Sequence, residues 1–166
     1  MPISSIVKNF RDGTITLASG GGSPITLTVQ YENGDFSLTG ANSGAGSYEI
    51  TKYLDRGDLG TVRRTNRSFP TGSFTAHLTD LSDATQNTLW DAVNQTGSFS
   101  AAVSTLGANA DVYTLNITLS IEGTTLGEAA DHTLVMNNCR CSIDVSEGDP
   151  DSFSLSFEVL GAITAT

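Results

Sequence analysis

Apolar and polar residues alternate along much of this chain with the period of two that marks a strand buried on one face. Ile15 and Leu17 alternate with Thr14 and Thr16, and Ile25, Leu27, Val29 and Tyr31 alternate with Thr26, Thr28 and Gln30. Glu32-Asn33-Gly34-Asp35 follows, with Asn-Gly where a type I′ turn needs positive φ; Phe36 and Leu38 then resume the apolar face, which predicts a hairpin. Further on, Phe74, Ala76 and Leu78 alternate with Ser73, Thr75 and His77, and Tyr113, Leu115, Ile117, Leu119 and Ile121 form the longest run. A last pair, Cys139, Cys141, Ile143 and Val145 then Phe153, Leu155, Phe157 and Val159, is joined by the acidic turn Ser146-Glu147-Gly148-Asp149-Pro150-Asp151.

One segment has helical spacing. With Ser82 as N-cap and Asp83 in the first turn, Ala84, Thr88, Leu89, Trp90 and Val93 fall on one side, which predicts a helix over 82–95 laying Trp90 against a sheet. The chain thus reads as a single mainly β domain over 1–166. About eight strands form a β-sandwich or a curved barrel, with one flanking α-helix. Alternation alone leaves sandwich and barrel open.

Length agrees with one core: 166 residues suit one ordinary domain. Charge changes the picture more. Eighteen acids against eight bases give a net charge of −10, which opposes affinity for nucleic acid phosphates. Five of the eight bases, Lys52, Arg56, Arg63, Arg64 and Arg67, fall within sixteen residues, so one segment is basic and the remainder strongly acidic. There is no apolar run of about 18 residues and no leader-like start, so a chain made and kept soluble in the cytoplasm, with no membrane partner, is expected. Three matches to the glycosylation pattern, at Asn66, Asn94 and Asn116, read as chance in a Thr-rich chain.

Candidate chemistry is sparse. His77 lies on the polar face of its strand with no nucleophile motif beside it, and His132 has none either. Cys139 and Cys141, two apart on a strand, lack the spacing of a redox or zinc motif and read as buried free thiols. Asp144, Glu147, Asp149 and Asp151 do not follow the calcium-loop spacing, and a solvated hairpin tip explains them as well. Gly20-Gly21-Gly22 precedes a strand rather than a helix and reads as a flexible link, not a phosphate cradle. Neither a catalytic set, a metal nor a cofactor is expected.

The segment Tyr48 to Pro70 stands out. Its arms, Tyr48 to Leu54 and Leu59 to Thr65, flank Asp55-Arg56-Gly57-Asp58, which has good turn chemistry and predicts a long protruding hairpin. A hairpin holding most of the bases, on an acidic domain, has an electrostatic partner in an identical copy. Such head-to-tail contacts close into rings or continue into filaments. The candidate interface residues are Tyr48, Lys52, Tyr53, Asp55, Arg56, Asp58, Leu59, Arg63, Arg64, Arg67 and Phe69. The plain alternative is a hairpin with solvated charges.

These residues carry a resemblance. Phe10 to Leu38, then Tyr53-Leu54-Asp55-Arg56-Gly57-Asp58-Leu59-Gly60, Phe69-Pro70 and the strand Gly72-Ser73-Phe74-Thr75-Ala76 resemble the tail tube (major tail) proteins of long-tailed, siphovirus-type bacteriophages. The likeness lies in the order of elements rather than in any single motif. It implies a non-enzymatic virion subunit in which six copies close into a ring and rings stack into a hollow tail tube, a conduit for genome ejection. It also implies a long loop that reaches a neighbouring copy, tape measure and terminator proteins as partners, and production in the host bacterial cytoplasm. An acidic inner wall would let DNA pass without sticking. The rival from another class is a carbohydrate-binding β-sandwich module, for which only Tyr48, Tyr53 and Phe69 look available as ring platforms. A hydrolase is more distant, since no paired acid and base is seen.

Overall fold

A computed structural model of the chain describes residues 13–29, 35–41, 47–124 and 130–166. The order is β1 (Thr14–Ala18), β2 (Thr26–Val29), β3 (Ser37–Thr39), β4 (Ser47–Asp55), β5 (Asp58–Ser68), β6 (Thr71–His77), α1 (Leu89–Asn94), β7 (Leu115–Ile121), β8 (His132–Ser146), β9 (Ser152–Val159) and β10 (Ile163–Ala165). Among the described residues the chain is mainly β, as the alternation predicts, with one short α-helix and a long hairpin. Eight strands form one antiparallel sheet in the order β2-β1-β7-β8-β9-β6-β3, with β10 also on β8, and β4-β5 form a separate two-stranded sheet. The large sheet is open, not a closed barrel.

The long strand β8 shapes the body. Its first half lies between β7 and β10, and its second half lies beside β9. The halves meet at Asn137-Asn138, where β8 carries one residue more than β7 and Asn138 has φ 55°. Such a bulge bends a strand and lets it serve two halves of a sheet. The displaced backbone is satisfied: Asn138 N–H donates to Asn116 Oδ1, while the Asn138 and Asn137 carbonyls accept from the N–H groups of Leu160 and Gly161. A Cβ on Gly161 would lie 2.6 Å from the Asn137 carbonyl oxygen, so the close approach needs glycine.

Inward positions from both halves then share one core. Ile15, Leu17, Leu115, Ile117 and Leu119 pack in the same cluster as Phe74, Phe153, Leu155 and Phe157. Trp90 and Val93 of α1 pack against it, half-buried.

Three expectations change. The helix is six residues long, not 82–95. Asp83 Oδ1 accepts from the N–H groups of Thr85 and Gln86 and from the Thr85 hydroxyl, an Asx-type turn that competes with helix. Thr88, not Ser82, is the N-cap, accepting from Asp91 N–H, and Gln95 in the left-handed region ends the helix. Second, the turn at Asn33-Gly34 lies outside the described residues, and β2 and β3 do not pair; they occupy opposite edges of the sheet. The apolar phase of Phe36 is met instead by stacking on Phe157, ring centroids 6.1 Å apart. Third, Gly20 is no flexible link: it bridges to Val103, and a Cβ there would sit 2.3 Å from the Ser104 carbonyl oxygen.

Cys139 is buried and Cys141 half-buried, both as free thiols. Burial pushes the Cys139 thiol up to about 12; burial first, and the neighbouring Cys139 second, push Cys141 up as well. At pH 8 a thiol reagent should therefore label neither in the native protein and both after unfolding in guanidinium. The thiolate at Cys139 falls by about a thousandfold relative to a free cysteine, at tenfold per unit. Rapid native labelling would contradict the burial.

Candidate functional site

The hairpin β4-β5 turns at Arg56 (φ 51°) and Gly57 (φ 93°), a two-residue turn with positive φ at both central positions. That geometry matches the right-handed twist of paired strands, which favours a tight, long hairpin. Pairing runs Tyr48 to Arg67, Ile50 to Arg64, Thr51 to Arg63, Lys52 to Val62, Tyr53 to Thr61 and Leu54 to Leu59, with irregularities between Tyr48 and Ile50 and between Tyr53 and Leu54. At about 3.3 Å per residue its nine- and eleven-residue strands are roughly 30 Å long.

Neither strand joins the large sheet, and β5 is exposed at every position but its last. Alternation and register then sort the side chains. Tyr48, Ile50, Lys52 and Leu54 fall on one face with their partners Arg67, Arg64, Val62 and Leu59; Thr51, Tyr53, Thr61 and Arg63 fall on the other. The first face is apolar yet open: Ile50 is 60% exposed, Leu54 64% and Leu59 59%. Two-stranded hairpins are marginal alone in water, and a contiguous exposed apolar patch marks a contact surface.

The predicted site residues fall in three groups. Lys52, Tyr53, Leu59, Arg63 and Arg64 lie along the arms, Asp55, Arg56 and Asp58 at the tip, and Tyr48, Arg67 and Phe69 at the root. Arg64 sits over the Tyr48 ring at 5.3 Å and Arg67 over the Phe69 ring at 4.8 Å, while Arg67 Nη2 donates to the Leu160 carbonyl at 3.2 Å and ties the root to the body. These contacts orient the cations without neutralising them. Sequence reasoning missed Ile50, Leu54 and Val62; their alternation with Thr51, Tyr53 and Arg63 was the available signal.

Charge is divided accordingly. Five bases and three acids give residues 48 to 69 a net +2, and three bases with fifteen acids leave −12 on the rest, which together make −10.

A second surface lies on the outer face of β3-β6-β9-β8. Ser142, Ser156, Ser73 and Ser37 stand in register across the four strands, with hydroxyls bonded between Ser142 and Ser156 and between Ser37 and Ser73. They line a groove of about 550 Å³ with Arg140 and Glu158. Its one lining ring, Phe157, is buried, so the groove offers no platform for a sugar. Among the described residues no group of three or more His, Cys, Asp or Glu is placed to hold a metal ion, and no helix is long and apolar enough to cross a membrane.

No family model matches the chain, and no curated protein does. The fold is similar to two solved structures. One is the sheath/tube terminator of an extracellular contractile injection system, PVC, in its extended state: TM-score 0.55, 12% identity, covering 100% of this chain and 97% of that one. The other is the anti-feeding prophage cap, the AFP tube terminating cap: TM-score 0.55, 10% identity, covering 100% of this chain and 94% of that one. The likeness therefore extends over whole chains and concerns the fold.

Proposed function

We propose that this chain is a non-enzymatic structural subunit of a phage-type tail tube, which joins copies of itself into rings through the β4-β5 hairpin. One observation carries the reading: a free-standing hairpin exposes an apolar face that only a partner can cover. The whole-chain likeness in fold to a sheath/tube terminator and a tube terminating cap supports a tail role. In the full form of the reading, six copies close a ring, and rings stack as the tail tube of a siphovirus-type virion assembled in the host cytoplasm. The genome is ejected through the tube, with tape measure and terminator proteins as further partners. The −12 of the body fits a wall that polyanions slide past.

A second reading is favoured by the two similar structures, a sheath/tube terminator and a tube terminating cap: this chain would close the end of a tube as a single ring rather than build its length. Negative-stain electron microscopy of the purified chain over a rising concentration series separates them. Stacked tubes support the tube subunit, isolated rings the terminator, and monomers at every concentration and salt level overturn both. Specific binding by the monomer on a glycan array would instead favour a recognition module.

A further inference from the structure

On the reading that copies join through the hairpin, the sheet topology also says where on the next copy it lands. In the pair β6-β9, Thr71 faces Glu158 at one end and His77 faces Ser152 at the other, roughly 20 Å away for seven residues. The hairpin precedes β6 and is tied down beside Leu160, at the Thr71 end. The opposite end carries the β8-β9 turn with Asp144, Glu147, Asp149 and Asp151, and the loop after β6 joins it, since Leu78 N–H donates to the Asp151 carbonyl. That loop adds Asp80. Two apolar side chains are open at this end, Leu81 at 51% and Val145 at 49%.

The body thus has two unlike poles. One presents an apolar sheet face fringed by Lys52, Arg56 and Arg64; the other presents Leu81 and Val145 fringed by acids. Both the charge and the apolar character are complementary, and both halves of the match are on one chain. We propose that the acidic pole of one copy seats the hairpin of the next, so that copies join head to tail. A contact of this kind uses different surfaces on the two partners and leaves each pole free to bind again, as a repeating assembly requires. The hairpin's exposure along its length agrees with a partner other than its own body. Opposite charge around an apolar centre sets the orientation, since the reversed docking places acids on acids.

Charge reversal tests the seat. Lys52→Glu with Arg64→Glu reverses the hairpin's docking face, and Asp144→Lys with Glu147→Lys reverses the pole; all four side chains lie outside the core, and circular dichroism checks that each variant folds. Each variant alone should raise the concentration needed for assembly by about tenfold or more. An equimolar mixture should restore it, because each reversed surface then meets its complement. A wild-type chain that never assembles overturns the proposed function itself. A wild type that assembles, with a pole variant that assembles equally well or a mixture that fails to recover, overturns only this assignment of the seat.

Discussion

Deleting residues 49 to 69 is expected to leave a monomer at every concentration while barely changing the stability of the body. The first half of this expectation follows from what is removed: the open apolar face, four of its flanking arginines and Lys52. The second follows from what is kept. No residue of the core cluster falls within 49 to 69, and Ser47 faces Ser68 across the root, so joining Tyr48 to Pro70 spans about one inter-strand distance, roughly 5 Å. The losses to the body are root contacts such as Arg67 to Leu160, worth about 1 kcal/mol, or a few degrees of melting temperature in a domain of this size. Sedimentation and thermal circular dichroism read the two halves separately. Tubes or rings formed by the deleted chain would separate the hairpin from assembly, whereas a collapse of the melting transition would show that the hairpin holds the body together.

How much of this was legible beforehand depended on whether the information was local. Ile15, Leu17, Leu115, Ile117, Leu119, Phe153, Leu155 and Phe157 all turn inward as their alternation predicts, because burial on one face is written into a period of two. The Arg56-Gly57 turn was legible for the same reason: its chemistry lies in adjacent residues. Pairing between distant strands was not. The Asn33-Gly34 signal pointed to a local hairpin, yet β3 pairs with β6, where Ser37 meets Ser73 and Phe36 meets Phe157. The first half of β8 was missed because Leu134-Val135-Met136 does not alternate; Val135 lies opposite both Thr118 and Thr164, in a strand flanked on both sides. As for the candidate site, the charges of the hairpin stood out in the sequence, while its apolar stripe did not. Ile50, Leu54 and Val62 look like any strand's buried face until the fold shows that among the described residues they stand open.

The helix is the clearest case of a long-range contact overriding a local signal, and it leads to the largest expected loss of stability. Asp91 is shielded from solvent at the start of α1, and burial alone would raise its pKa. Hydrogen bonds outweigh that: the hydroxyls of Thr96 and Ser82 and the N–H of Asp83 donate to its carboxylate, so its pKa lies below the ordinary 3.8. The carboxylate therefore gathers residues 82 and 83, which the spacing assigns to the start of a longer helix, onto the loop after α1. Gly97 fits against the same group, since a Cβ there would lie 2.3 Å from Asp91 Oδ2. Asp91→Ala leaves several buried donors without an acceptor and should cost about 3 kcal/mol, at about 1–3 per unsatisfied group. That lowers the melting temperature by roughly 6–12 °C. A group whose pKa is depressed on folding stabilises fully above its unfolded pKa and loses that contribution as pH falls through the folded value. The gap in melting temperature between wild type and Asp91→Ala should thus stay constant from pH 8 to 5 and narrow below 3.8, the ordinary value. A gap that instead widened in acid would mean that Asp91 is held protonated, and the three hydrogen bonds to its carboxylate would need another explanation.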